Sequence, residues 1–132
     1  FSLASSVNIG TVVTNLNVNG LKDLFEWCNM LEEKYAHLAN GRTHHIEVCN
    51  MPDYMTPYNW PDTIKPQILN NLKEISQRHM QPKQQEIVNT LWTNIINTPY
   101  NQELWYKHLQ RNMLLDKVRN QDFIAHTMPL PQ

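Results

Sequence analysis

Residues 6–38 read SVNIGTVVTNLNVNGLKDLFEWCNMLEEKYAHL, and the order of patterns within them sets the fold: a β-branched apolar run, an asparagine-rich turn, then an amphipathic helix. Val7, Ile9, Val12, Val13, Leu16 and Val18 put apolar side chains at both parities, the pattern of an interior strand covered on both faces of a parallel sheet. Asn19 is placed to cap the helix, Asp23 adds negative charge near the positive end of its dipole, and the helix is expected to start near Gly20. Leu21, Leu24, Phe25, Cys28, Leu31, Tyr35 and Leu38 recur at three- and four-residue steps, with Lys22, Glu26, Glu32 and Glu33 opposite. That helix lies back on the sheet.

Outward from this unit, Asn40-Gly41 suits the left-handed conformation that closes a helix. Residues 42–51, RTHHIEVCNM, read as a second strand, with Ile46 and Val48 on one face and His45, Glu47 and Cys49 on the other. Strand, helix, strand is the simplest parallel crossover, and in parallel sheets ligands gather at the carboxyl ends of the strands. Those ends are residues 15–17 and 49–52. Four prolines and three aromatic residues in 52–66 predict a rigid loop with Tyr54, Tyr58 and Trp60 packed beneath it.

Three helices are predicted after the loop. The first starts within 61–64, carries Ile64, Ile68, Leu72 and Ile75 as its stripe and fades near His79. The second opens at Pro82, carries Ile87, Val88, Leu91, Trp92, Ile95 and Ile96, and ends at Thr98-Pro99. The third is capped by Asn101 and runs to about Arg119 with Leu104, Trp105, Leu109, Met113, Leu114 and Val118 inward. An irregular tail with Pro129 and Pro131 follows. The expected class is α/β: two parallel strands (about 7–18 and 43–50) with a crossover helix, then three helices. Residues 1–51 form the strand-helix-strand unit, and 52–132 a helical region packed on it.

The chain has 132 residues, 41% of them hydrophobic, enough for one modest core. Its 11 basic and 12 acidic residues are spread without blocks, so no footprint for duplex nucleic acid or an anionic membrane is present. No run approaches the ~18 apolar residues of a membrane span, and no basic-then-apolar leader opens the chain. Cys28 and Cys49 fall in a helix and a strand, and no Asn-x-Ser/Thr acceptor occurs, which fits a reduced cytoplasmic setting. The chain begins at Phe1, without an initiator Met, and leads at once into a buried-type strand; it reads as a piece of something longer.

Local motifs declare no chemistry. The cysteines are far apart with no CxxC, so no local metal site is encoded. His44 and His45 point to opposite faces of a strand and cannot chelate together, and His79, His108 and His126 stand alone. Cys49 reads as a small hydrophobe in preference to a reactive thiol, and Glu47 as a solvated or ion-paired carboxylate in preference to a ligand contact. Asp116 and Arg119, at i and i+3, read as a helix-surface ion pair. A Gly-rich phosphate loop, a Ser-His-Asp pattern and basic-aromatic alternation are all missing.

Three stretches carry a resemblance: TNLNVNGLKDLFEW at 14–27, MPDYMTPYNWPDTIKPQILNNL at 51–72, and LLDKVRNQDFIAHTMPL at 114–130. In this order they resemble the C-terminal part of the twitch-domain radical S-adenosylmethionine proteins. There a late barrel strand ends in an Asn before a helix of the form LxELxxW, similar to Asn17 and 21–27; a P-x-Y-L segment and a proline-started helix follow, similar to 52–55 and Pro61 onward. The family ending LDxxRxxxF is matched by Leu115, Asp116, Arg119 and Phe123.

The resemblance implies the last two strands of a partial (β/α) barrel. It further implies an enzyme whose 4Fe-4S cluster, held by three cysteines, cleaves S-adenosylmethionine to a 5′-deoxyadenosyl radical that abstracts hydrogen. The cluster motif belongs to the N-terminal half of that barrel and does not occur here, so this chain alone is expected to bind no cluster and not to turn over. Asn15, Asn17, Cys49, Asn50 and Met51 would face the adenosylmethionine nucleoside or the substrate, and the partner would be the missing half of the barrel. For Asn17 a turn or helix-entry hydrogen bond is the competing role. The competing reading of the whole chain is a self-contained, cofactor-free helical binding or protein-interaction module.

Overall fold

A computed structural model describes residues 9–35, 44–78 and 80–120. The protein is mostly helical with two parallel strands, an α/β arrangement. β1 (Ile9–Val13) is followed by a 3-10 turn (Val18–Gly20), α1 (Leu21–Lys34), β2 (His44–Val48), a second 3-10 turn (Asp53–Met55), α2 (Lys65–Ser76), α3 (Pro82–Asn97) and α4 (Gln102–Arg119). The expected closure at Asn40-Gly41, Leu38, Val7, His79 and the tail from Gln121 with Phe123, His126, Pro129 and Pro131 lie outside the described residues.

β1 and β2 pair in parallel, with Thr11 opposite Ile46, Val12 opposite Glu47 and Val13 opposite Val48. Side chains alternate across a strand, so this register divides the sheet into two chemically different faces. Val13, Ile46 and Val48 turn into the core, where α3 packs against β2. Gly10, Val12, His45 and Glu47 share the other face, and all four are exposed. Val12 is 53% exposed. The expectation that the first strand is covered on both faces is therefore corrected: among the described residues it is covered on one. The strand is also shorter than 7–18, because after Val13 the chain enters a turn whose backbone groups bond to asparagine side chains. Val18 is buried, but from the 3-10 turn.

Helix by helix, the apolar stripes explain the packing. Leu21, Phe25 and Cys28 are the buried residues of α1, one turn apart. Its cap position is Gly20, with no side-chain bond; Asn19, one residue earlier, accepts from Asn71 Nδ2 of α2 at 3.1 Å. Asn19 thus joins two elements. Ion pairs Lys22–Glu74 (3.8 Å) and Arg78–Glu26 (2.9 Å) run from α1 to α2 and the residues just after it, and as exposed pairs each contributes at most about 1 kcal/mol. α2 buries Ile68, Leu72 and Ile75. It begins at Lys65 and not within 61–64, because the Pro61 carbonyl first accepts from the backbone of Ile64 and Lys65 in a lead-in turn.

α3 starts as expected at Pro82, and its first turn is closed reciprocally by Gln81 and the buried Gln84. It buries Ile87, Val88, Leu91 and Ile95, but Ile96 is half exposed, one position beyond the stripe. α4 is capped by Asn101, whose Oδ1 accepts from Leu104 N at 3.1 Å. Its inward face is Trp105, His108 and Asn112; Met113, Leu114 and Val118, expected inward, are exposed. These three lie roughly a quarter to half a turn round the helix from the Trp105–His108–Asn112 line, at 100° per residue.

The 52–66 loop is the second organiser. Trp60 is wholly buried, donates through Nε1 to the Pro57 carbonyl, and stacks at a tilt on Trp105, with ring centroids 5.6 Å apart. Asn59 brackets Asn101, accepting from its N–H at 2.8 Å and donating to its carbonyl at 3.0 Å, which docks the loop on the start of α4. Trp60→Ala is expected to lower unfolding stability in urea by about 3–5 kcal/mol. Val12→Thr, on the bare face, should stay within about 0.5 kcal/mol.

Candidate functional site

The parallel register brings the carboxyl ends of both strands together. Cys49 N–H donates to the Val13 carbonyl at 2.9 Å, extending the ladder one step past β2, and Asn15 N–H then donates to the Met55 carbonyl at 3.1 Å. The expected site residues Asn15, Cys49, Asn50 and Met51 thus lie on two segments joined to one another. What each side chain does differs.

Asn15 is 4% exposed; its Nδ2 donates to the Tyr54 carbonyl at 2.7 Å, while its Oδ1 is buried with no hydrogen-bond donor among the described residues. Both polar ends of Asn17 are engaged within the turn: Oδ1 accepts from Thr14 N–H and Nδ2 donates to the Val12 carbonyl, each at 2.8 Å. These contacts are those of the turn role. Cys49 is half-buried and its Sγ contacts the Met51 carbonyl at 3.3 Å. Asn50 is exposed, and Met51 is 80% exposed beside a cis peptide bond to Pro52. The rim therefore presents Asn50 and Met51 outward over a frame made by Asn15 and Asn17.

Next to this rim, on the bare face of the sheet, His45 Nε2 and Glu47 Oε1 are 3.1 Å apart, a hydrogen-bonded pair with both side chains about two-thirds exposed. Cys28 lies fully buried in the core, where desolvation pushes its thiol pKa up and keeps it protonated. Among the described residues no group of three His, Cys, Asp or Glu side chains comes together.

Two parts of this arrangement escaped the sequence reading. One is the Asp53–Met55 turn, whose carbonyls hold Asn15; backbone acceptors leave no residue-type signal. The other is His108, 1% exposed, lying 5.2 Å from the Trp105 ring and hydrogen-bonded through Nδ1 to Asn112 Nδ2 at 3.0 Å. Burial lowers its pKa to about 4. The helix that carries His108, α4, packs on the Asp53–Met55 turn.

No protein-family profile, curated protein or solved structure matches this chain. No helix among the described residues is long and apolar enough to cross a membrane.

The lowered His108 pKa has a definite sign. The folded state holds His108 neutral while the unfolded chain protonates near 6.5, so its contribution is intact above about pH 6.5 and falls as pH drops towards 4, by roughly 3 kcal/mol in total. His108→Gln should flatten that part of the stability–pH curve in urea titrations. Asn15→Ala strands the Tyr54 carbonyl and should destabilise by about 1–3 kcal/mol in the same measurement.

Proposed function

We propose that this chain is the C-terminal portion of a radical S-adenosylmethionine enzyme, contributing the last two strands of a partial barrel and one rim of the cofactor and substrate cleft. The observation that carries this reading is the bare face of a parallel pair. Parallel strands are ordinarily covered on both faces, and a two-stranded sheet alone is marginal. Here Val12, Gly10 and the His45–Glu47 pair stand uncovered opposite a well-packed core, as the inner wall of an incomplete barrel would.

The residues present suit the two implied groups unequally. Asn50 and Met51 on the rim, with the undonated Asn15 Oδ1 behind them, offer polar and thioether contacts of the kind a nucleoside sulfonium would use. S-adenosylmethionine, when bound, would supply a hydrogen-abstracting 5′-deoxyadenosyl radical and release methionine on accepting one electron from the 4Fe-4S cluster of the complete protein. Cys28, protonated in the core, and Cys49, turned to the Met51 carbonyl, do not make a three-thiolate site, so the 4Fe-4S cluster finds no place on this chain. The chain's own part is to position the rim: Asn15 ties the two strand ends, and Asn17 stiffens the turn into α1. In this reading the partner is the rest of the barrel, and the compartment is the cytoplasm.

The competing module reading draws on Met113, Leu114 and Val118, an apolar helix surface uncovered among the described residues. The experiment that separates the two is to extend the reading frame upstream, express the longer protein anaerobically with iron and sulfide, and reduce it with dithionite. The longer protein is expected to form 5′-deoxyadenosine from S-adenosylmethionine and the 132-residue chain to form none. A longer frame lacking Cys-x3-Cys-x2-Cys overturns the proposal in favour of the module.

A further inference from the structure

The outer face of α4 holds apolar side chains that neither the core nor the proposed cleft uses. Met113, Leu114 and Val118 are each more than half exposed, Val118 at 77%. At 100° per residue they lie on an arc of about 140°, centred opposite the buried line of Trp105, His108 and Asn112. Lys117 stands among them on the same arc. Single exposed apolar residues are ordinary, but these three form one patch over the last turns of the helix.

Asn120 closes α4 in the left-handed conformation, φ 53° and ψ 50°, with its N–H donating to the Asp116 carbonyl. A left-handed residue ends the coil and turns the chain off the helix axis. Such closures commonly bring an apolar residue just past the helix onto its last turn. The chain past Asn120 reads QDFIAHTMPLPQ and lies outside the described residues. Its first apolar side chains are Phe123 and Ile124, with Met128 and Leu130 after them.

Length and charge both suit this stretch to the patch. Its twelve residues span up to about 40 Å when extended. Met113, at the far end of the patch, lies seven residues back from Asn120, about 10 Å along the helix. So short a stretch, two of its residues proline, builds no core of its own, and Phe123 and Ile124 need cover from elsewhere. It contains no Lys or Arg and one acid, Asp122, the charge to meet Lys117. Tethered beside the patch, it is present at an effective concentration on the order of millimolar, which a separate partner must outcompete.

We propose that residues 121–132 fold back along α4 as a strap, with Phe123 and Ile124 seated on Met113, Leu114 and Val118, and Asp122 beside Lys117. The strap is this chain's own cover for the patch. The inference is independent of the barrel reading, and it takes from the module reading the surface on which that reading draws.

Two measurements on the 132-residue chain test the strap. In NMR spectra the methyl groups of Leu114 and Val118 should show NOEs to the Phe123 ring and the Ile124 methyls, unchanged on dilution. Chymotryptic cleavage after Phe123, followed by mass spectrometry, should be at least about tenfold faster in Leu114→Glu and in Val118→Glu, because the released segment is open to the protease. An unshifted Trp105 indole signal in these variants shows that α4 is still seated. Absence of the NOEs overturns the proposal, as does an unchanged cleavage rate in both seated variants. NOEs that fade on dilution overturn it too, since the cover is then a second copy of the chain.

Discussion

The parallel pairing of β1 with β2 is the constraint on which the rest depends. One register decides at once which residues enter the core, which face stays bare, and that residues 14–17 and 49–55 lie side by side. A one-residue slip of β2 against β1 would turn Glu47 inward and Ile46 and Val48 outward, exchanging an exposed carboxylate for a core isoleucine. That asymmetry holds the register firmly. The same alternation explains why the bare face carries a polar pair and one valine, while Val13, Ile46 and Val48 enter the core.

Backbone groups that the short sheet cannot pair are served by asparagines. Asn17 closes the edge of β1, Asn15 bridges to the Tyr54 carbonyl, Asn59 brackets Asn101, and Asn101 caps α4. The side-chain amide suits these places because it offers a donor and an acceptor at the spacing of a peptide group, so it can stand in for one where the chain turns. Beneath them, Trp60, Trp105 and His108 form an aromatic column that ties the proline-rich loop to α4, and through it the Asp53–Met55 turn to the strand ends. The candidate rim is thus held from one side by the ladder and from the other by the column.

The elements themselves were legible in the residues. The 3.6-residue stripes of α2 and α3, Pro82 at a helix start, Asn101 as a cap, and the division of Ile46 and Val48 from His45 and Glu47 all follow from local periodicity. Of the candidate site, the side-by-side placement of the two strand ends was legible, since a parallel crossover dictates it. The roles of its members were not. Asn15 and Asn17 are the same residue two positions apart, yet one reaches a carbonyl 39 residues away and the other closes its own turn. The extent of β1 and the inward face of α4 were also misjudged, because apolar residues were counted without knowing what would cover them. Met113, Leu114, Val118 and Val12 have the composition of core residues and the environment of surface ones.

By itself the sequence determined the order and type of the elements and the parallel sense of the pair, because periodicity, capping and loop chemistry are local properties that act over a few residues. Only the tertiary structure decided which face of the sheet is bare, which asparagine bonds to what, and that His108 is buried under Trp105. These are decided by long-range pairing, where burial and hydrogen-bond geometry depend on residues far apart in the chain and leave no local mark.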